Sequence, residues 1–511
     1  MQRWRYLSWL VLLAAVFISY ANVYQNEFVY DDEFLIQKNQ NIRTWSGLGQ
    51  SFLMSSTGGS GAVDSFYRPM QGVLYTIVYQ LHSLYPDGFH LLNILLHALC
   101  ALLIFSLALK LEFSPIASLI AALLWAVHPI HTEAVTYASA TADPLYAAFL
   151  LGGLLIAAPE FSLTKILLSC LFYAGGLLSK ETGIVFPALV LACIFLMKRK
   201  RWSIRSYLTT WPLWIMAVVY LILRKTVLNF DHTFTFYKIA NVYTEHILYR
   251  IYTFLATIPS YLSLLFWPTD LHLDRQFSVY ADPITPPVLL GVTWLLLGIF
   301  MIAWERKSDR PIWSFAFLWF LTAHVCHMGI LLPVNSFFLE HWMYLPSIGF
   351  FIAGAQTLVD RFKQPKWALI PATALGIPLA MNTLRQNEIW STPVTLYTHI
   401  LKLNPQVARI HNNLAMAYTD LHQDRQAIEH YSKAIEISDI YPQTHHNLAL
   451  ALLRQGQVVE AVQHLKRALE LDPDFYHSSS VLAQIYQSLG DQQHAEEYSK
   501  KFAESTQKFR K

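Results

Sequence analysis

The chain has 511 residues, of which 54% are hydrophobic and only 14% charged, and its mean hydropathy is +0.34. That charged share lies well below the roughly one quarter of soluble domains, so most of the chain reads as integral to a membrane. A balance of 37 basic against 34 acidic residues gives a net charge of +3, with no polybasic domain, which argues against nucleic acid as a partner. Positions 1–384 hold 44 of the 71 charged residues and positions 385–511 the other 27, so an apolar body carries a soluble tail. Cys100, Cys170, Cys193 and Cys326 all sit in apolar stretches, where they act as small hydrophobes and imply no disulfide scaffold.

Crossing roughly 30 Å of hydrocarbon takes about 20 apolar residues, and eleven runs approach that pattern. They are Tyr6–Val23, Phe89–Leu109, Ile116–Val127, Pro144–Ala158, Ile166–Leu178, Ile184–Met197, Tyr207–Leu223, Val288–Ala303, Trp313–Leu332, Leu345–Leu358 and Ala368–Met381. Arg3 and Arg5 put the N-terminus in the cytoplasm, and Lys110, Lys165, the run Lys198 to Arg201, Arg306, Lys307, Arg310, Arg361, Lys363 and Lys366 then fall on the same inner side. Ser19 and Ala21 would satisfy a signal-peptide cleavage site, but a polytopic chain needs no cleavage, and the first run is read as a retained helix. This parity leaves the loop after the first helix and the C-terminal tail both on the outer face. The segment Ile247 to Trp267 is apolar with charges on both flanks, which suits a re-entrant hairpin or an interfacial helix.

Several polar groups gather at the outer face. Asp31, Asp32 and Glu33 are consecutive carboxylates just beyond the first helix; they form either a solvated acidic turn or, because adjacent carboxylates repel, a site that keeps a proton or draws in a cation. Tyr67, Arg68 and Pro69 precede an amphipathic aromatic stretch from Met70 to Tyr85. His128, Pro129, Ile130, His131, Thr132 and Glu133 end an outward helix. Two imidazoles three apart can hold a metal, but Pro129 breaks the helix that the ordinary zinc pattern needs, so donor binding is the preferred role. Asp143 opens the next inward helix, and Lys180 with Glu181 stands at the following outer mouth, as a phosphate partner or as an ion pair tying two helix ends. Arg275, Glu340 and His341 are further outer candidates. No glycine-rich phosphate loop appears, so a nucleotide donor is disfavoured and a lipid-borne one favoured.

The tail repeats with one period. Ala415, Ala449 and Ala483 are 34 apart, as are Ala427, Ala461 and Ala495 and also Leu414, Leu448 and Leu482; Gly456 and Gly490 mark turns, and Pro405 and Pro473 lie two periods apart. The pattern resembles the tetratricopeptide repeat family over about Asn404 to Ser499. Each unit is a helix pair that buries its apolar face only by stacking, which makes a peptide-binding groove or a plain scaffold.

The strings FVYDDEFLI (28–36), YRPMQGVLYTIVYQLHSLYPDGFHLLNILLHA (67–98), LLWAVHPIHTEAV (123–135), LLSKETGI (177–184) and MYLPSIGF (343–350), followed by the repeats, resemble the transmembrane and tetratricopeptide repeat-containing family of protein O-mannosyltransferases and its bacterial relatives. The resemblance implies an all-α protein: a polytopic membrane bundle of the GT-C glycosyltransferase type with about eleven to twelve helices over residues 1–384 (first outer loop 24–88), a connector over 385–403, and a tetratricopeptide repeat α-solenoid of three repeats over 404–511. It implies a polyprenyl-phosphate sugar as donor substrate and a protein Ser or Thr as acceptor, drawn in by the repeats. Asp31 and Asp32 match the family's acidic pair, implying a general base or, if a divalent metal takes part, its ligands. Arg68 and Lys180 would stabilise the departing phosphate, His128 and His131 would lie in a donor-phosphate motif, and Glu133 and Glu181 would support them. One departure stands out: the family places an arginine after the glutamate before Tyr344, whereas here Glu340 is followed by His341 and Trp342. The repeat array is also shorter than in animal members, which leaves open a sugar other than mannose. The absence of any Asn-x-Ser/Thr sequon favours a bacterial inner membrane, with the repeats in the periplasm, over an endoplasmic reticulum membrane with lumenal repeats. The alternatives are transfer to a lipid or surface glycan, or a non-catalytic envelope scaffold.

Overall fold

The computed structural model describes residues 2–62, 66–197, 207–228, 241–275, 277–334 and 336–509. The basic run Lys198 to Arg201, expected on the cytoplasmic side, lies outside them. Among the described residues all regular structure is helical, with no strand. The chain divides into two compact units, Met1–Ser391 and Thr392–Lys511.

Among the described residues of the first unit four helices are long and apolar enough to cross a membrane: Pro86–Lys110, Ala138–Ala157, Pro286–Lys307 and Pro365–Ile389. Pro115–Ala126 and Pro129–Thr136, bent by 53° at their break, make a fifth if taken together. Other expected spans form shorter apolar helices, Leu163–Ser179, Glu181–Met197, Ile312–His327 and Ile348–Asp360. Hydropathy alone cannot see these breaks. Pro129 has no N–H to continue the preceding ladder, and Lys180 adopts an extended backbone (φ −155°, ψ 138°) that separates two helices the apolar pattern nearly joins. The chain is a multi-pass membrane protein. Segment Ile247–Phe266 forms one 20-residue helix across Pro259, with no turn within it, so the hairpin alternative is set aside.

The main core is built from helices Pro86–Lys110, Pro115–Ala126, Ala142–Ala157 and Leu163–Ser179 with Phe186–Met197, Ile312–His324 and Ile348–Asp360. Two fully buried indoles brace it: Trp125 Nε1 donates to the Tyr344 carbonyl at 3.2 Å and Trp319 Nε1 to that of Leu345 at 2.9 Å, so neither donor is left unpaired. Small residues let helices Ala142–Ala157 and Leu163–Ser179 approach closely; a Cβ at Gly175 would lie 2.5 Å from the Phe149 ring.

The first outer loop has its own small core, Ile36, Ile42, Tyr75, Val78, Phe89 and Ala138, which seats the acidic segment on helices Pro69–His82 and Pro86–Lys110. The end of the unit ties this loop down. Asn387, fully buried, donates through Nδ2 to the Ser19 carbonyl and to Asn22 Oδ1, both at 2.9 Å, and its Oδ1 accepts from Thr136 Oγ1 at 2.8 Å. Asn26 Nδ2 donates to the Asn387 carbonyl at 3.1 Å, and the Glu27 amide to that of Ser391 at 2.8 Å.

The second unit is a run of helix pairs. Thr392 opens it with a capping box to Thr395 and Pro393 at the first helical position, and the helix Pro393–Leu403 buries Leu396, Tyr397 and Ile400. Residues 385–389 therefore finish the last helix of the first unit, Leu369–Ile389, and the second unit starts at Thr392, earlier than the repeat pattern at Asn404. The repeats follow as Ala408–Asp420 with Asp424–Ile437, Pro442–Arg454 with Val458–Leu471, and Tyr476–Ser488 with Gln492–Phe509. Gly456 and Gly490 turn the chain at φ +76°, a left-handed conformation that favours glycine, and His422 occupies the same position one period earlier at φ 57°. A histidine pair recurs at the same period: His411 and His430 meet Nδ1 to Nδ1 at 2.9 Å, and His445 and His464 at 3.0 Å, with rings stacked at 26° and 29°.

Candidate active site

Tyr30 takes a left-handed φ of 55°, which turns the chain sharply just before the carboxylates and sends successive side chains to opposite environments. Asp31 is exposed and Asp32 is fully buried. The Asp31 amide donates to Tyr137 Oη at 2.8 Å, and that phenol ring stacks on Trp390 with centroids 5.3 Å apart. Glu33 is turned away into an ion pair with Lys38.

Asp32 is held by three donors. Its Oδ2 accepts from the Val29 amide at 2.9 Å, and its Oδ1 accepts from the Ser139 amide at 2.7 Å and from the Ser139 hydroxyl. Burial lifts its pKa to about 7, with a smaller push from the Asp31 charge; the bonds from Ser139 and Val29 pull the other way. The Ser139 turn is itself fixed. Asn93 Nδ2 donates to the carbonyls of Tyr137 and Ala138 at 2.8 and 3.3 Å, Asn93 Oδ1 accepts from Thr141 at 2.5 Å, and Gln71 Nε2 donates to the Ser139 carbonyl at 2.9 Å.

The cations stand on neighbouring elements, each braced by a carboxylate. Arg68 clasps Glu181 through two bonds of 2.9 and 3.3 Å, and Lys180 Nζ lies 2.7 and 2.8 Å from the two oxygens of Asp143. The ion pair envisaged between Lys180 and Glu181 does not form: the two residues project to different elements, Lys180 to Asp143 and Glu181 to Arg68. Buried Arg224 adds its charge at Glu181. Arg68 lines one small pocket with Gln71 and Tyr75, and Gln71 binds the Ser139 turn that holds Asp32, which places the guanidinium and the carboxylate in the same neighbourhood.

The histidine motif divides. His128 spends both ring nitrogens on backbone, Nδ1 accepting from the Ile130 amide at 3.2 Å and Nε2 donating to the Leu265 carbonyl at 3.1 Å, which makes it a helix cap and leaves neither nitrogen for a donor phosphate. His131 is fully buried among Trp125, Tyr344 and His97, and neither of its nitrogens has a hydrogen-bond partner. Glu133 accepts from the His341 amide at 2.9 Å and from its Nδ1 at 2.7 Å. His341, the residue that follows Glu340, is therefore engaged by Glu133 of the histidine motif. Beside it Glu340 meets Arg275 at 3.3 Å and the His272 amide at 2.9 Å; burial, helped by the charge of Glu133, lifts its pKa to about 8.

Among the described residues no three His, Cys, Asp or Glu side chains converge as a metal would require. Asp32 already accepts three protein donors, two on Oδ1 and one on Oδ2. Ser139, Gln71, Asn93 and Asn387 were not among the expected residues. Their sequence signal is faint: uncharged polar side chains beside or within apolar runs, where each needs an internal partner.

Comparison with known proteins adds the following. The tetratricopeptide repeat family matches residues 406–474 and 477–509. Protein O-mannosyl-transferase F38B6.6 of Caenorhabditis elegans is 27% identical over 85% of this chain and 63% of its own length. Protein O-mannosyl-transferase TMTC4 of Homo sapiens is 27% identical over 83% and 65%, and TMTC3 of Mus musculus 25% identical over 84% and 50%. The chain thus spans less than two thirds of the length of these relatives. Among solved structures, ArnT from Cupriavidus metallidurans bound to undecaprenyl phosphate matches 93% of this chain and 80% of that one at 14% identity and TM-score 0.43, and MamA matches 28% and 78% at 18% identity and TM-score 0.22. The chain is accordingly similar, over more than four fifths of its length, to proteins named protein O-mannosyl-transferase, and its C-terminal unit is built of tetratricopeptide repeats.

Proposed function

We propose that this protein is a GT-C type membrane glycosyltransferase that moves a hexose, mannose by analogy with the named relatives, from a polyprenyl phosphate to Ser or Thr hydroxyls of proteins at the outer face of the membrane. The observation that carries the reading is the split acidic pair: an exposed Asp31 held on a loop whose other carboxylate, Asp32, is locked to the Ser139 turn, with Arg68 in the same neighbourhood. In this reading Asp31 takes the proton of the acceptor hydroxyl while the acceptor oxygen bonds the anomeric carbon. The bond from that carbon to the phosphate oxygen breaks, and the polyprenyl phosphate leaves with the electron pair. Arg68 and Lys180, preorganised by Glu181 and Asp143, face the growing phosphate charge. Asp32 is a positioning residue. The repeats would hold the acceptor segment, and the membrane would be a bacterial inner membrane with the outer face in the periplasm.

The test compares intact proteins by mass spectrometry in cells carrying wild type or Asp31→Asn at matched membrane levels. Loss of hexose from defined Ser or Thr residues is expected. An unchanged glycoprotein profile overturns the reading, and a change confined to surface glycan redirects it to a glycan acceptor.

A further inference from the structure

A small pocket opens on the first outer loop, its polar lining drawn from Asn39, Asn41, Ser51, Ser55, Arg68 and Gln71. Apart from Arg68 it carries no charge: its polar wall is amide and hydroxyl groups, each able to donate and accept. The pocket is closely built, because a Cβ at Gly72 would lie 2.6 Å from Ser51 Oγ, so only glycine lets the helix backbone come this near.

Gln71 decides what belongs in it. The side chain is 1% exposed, and its Nε2 donates to Tyr75 Oη at 2.8 Å and to the Ser139 carbonyl at 2.9 Å. A carbonyl only accepts, so the amide cannot be turned over, and Oε1 is left without a donor in a buried setting. An unpaired buried acceptor costs about 1–3 kcal/mol, which a hydroxyl in the adjoining pocket would recover once a small shift of the wall uncovers Oε1.

We propose that this pocket binds one hydroxyl-bearing arm of the transferred sugar, with Gln71 Oε1 accepting from that hydroxyl. The inference rests on the proposed glycosyl transfer and adds a specificity-determining residue to it. Two features point to the donor sugar and away from a phosphate or a carboxylate group. The wall's one charge, Arg68, is already paired with Glu181, and the rest of the polar wall is amide and hydroxyl, which suits a polyol. Arg68, which lines the pocket, is the phosphate partner proposed above, and in a sugar phosphate the ring and the phosphate are one bridging oxygen apart. The free space of about 20 Å³ admits one hydroxyl or hydroxymethyl group and not a whole ring. Gln71 also touches the residue that holds Asp32, so filling the pocket and holding the acidic loop depend on the same side chain.

The test is a cycle between enzyme and donor. Full-length protein in detergent is given polyprenyl-phosphate mannose, the corresponding glucose donor, and the monodeoxy derivatives of each, with wild type and Gln71→Met. Wild type is expected to lose about 10- to 100-fold in kcat/KM with the deoxy donor that lacks the bound hydroxyl. Gln71→Met should be weakened with the parent donor by a similar factor, with no further loss for that deoxy donor. A merely structural Gln71 would depress every donor equally and keep the wild-type discrimination, which overturns the proposal. If Gln71→Met does not assemble, Ser55→Ala on the pocket wall is put through the same cycle, and unchanged discrimination there counts against the site. Transfer by wild type with a flat deoxy profile refutes the pocket and spares the function; no transfer from either polyprenyl-phosphate hexose refutes the function and the pocket with it.

Discussion

Replacing Asp32 by asparagine separates the energetic burden of this residue from its service. A carboxyl that titrates at about 7 in the folded chain and at about 3.8 when exposed binds its proton more tightly in the native state. Its contribution to stability is therefore complete below about pH 3.8 and is lost as pH rises to about 7. Between pH 5 and 8 roughly two pK units of that window are crossed, worth about 3 kcal/mol. Asparagine does not titrate, so the difference in stability between variant and wild type should move by that amount, in favour of the variant as pH rises. Against this stands one lost bond, since an amide in place of Oδ2 faces the Val29 N–H donor to donor, at about 1–3 kcal/mol. The variant should accordingly be close to or below wild type at pH 5 and equal or more stable at pH 8, while transfer falls because the loop is no longer held by a charge. Thermal unfolding of detergent-solubilised protein by tryptophan fluorescence at both pH values reads this directly. Parallel curves, with the variant offset by the same amount at pH 5 and 8, would refute the claim that a buried proton-binding carboxyl sits here.

The same titration should shape activity: kcat/KM rises with pH through about 7, and Ser139→Ala, which removes a charge-assisted bond of about 1.5–3 kcal/mol, moves that rise up by about 1–2 units in a pH-rate profile. Lys180→Met strands the buried Asp143 and should cost about 3–5 kcal/mol of stability; adding Asp143→Leu should restore the melting temperature while the KM for lipid donor stays high. In the repeat unit burial holds His411, His430 and His464 below the usual imidazole pKa, so their stability term is full above about pH 6.5 and fades as pH falls; circular dichroism melts should show the repeat transition dropping below that pH, and His430→Phe should flatten the drop.

What the sequence makes legible follows from range. The 34-residue period is local, and the repeat helices, their glycine turns and the Ala415, Ala449 and Ala483 contacts follow it closely. The acidic pair and the Arg68 and Lys180 positions are visible because charges are rare in an apolar chain. Their partners are not, because Lys180 and Glu181 are neighbours in sequence yet project to different elements, and Asp143 and Arg68 reach them only through the tertiary fold. His128 looked like a ligand and proves to be a cap, since sequence shows an imidazole without showing the backbone groups it meets. Ser139 and Gln71 are ordinary residues in composition, and their importance lies wholly in what they touch across 107 and 68 positions. The ends of the apolar runs fail because hydropathy does not weigh backbone: Pro129 lacks the N–H to continue its helix, and Lys180 is extended between two helices.

The Asn387 tie has a consequence for the order in which the molecule can be made. Ser19, Asn22 and Thr136 have emerged and entered the membrane long before Asn387 is synthesised, and until then their acceptors and donors have no mate from that helix. The acidic loop is thus completed by one of the last residues of the membrane unit. A nascent chain would carry its carboxylates for most of its biogenesis without a moored loop, so the arrangement around them is completed only when the last helix of this unit is in place.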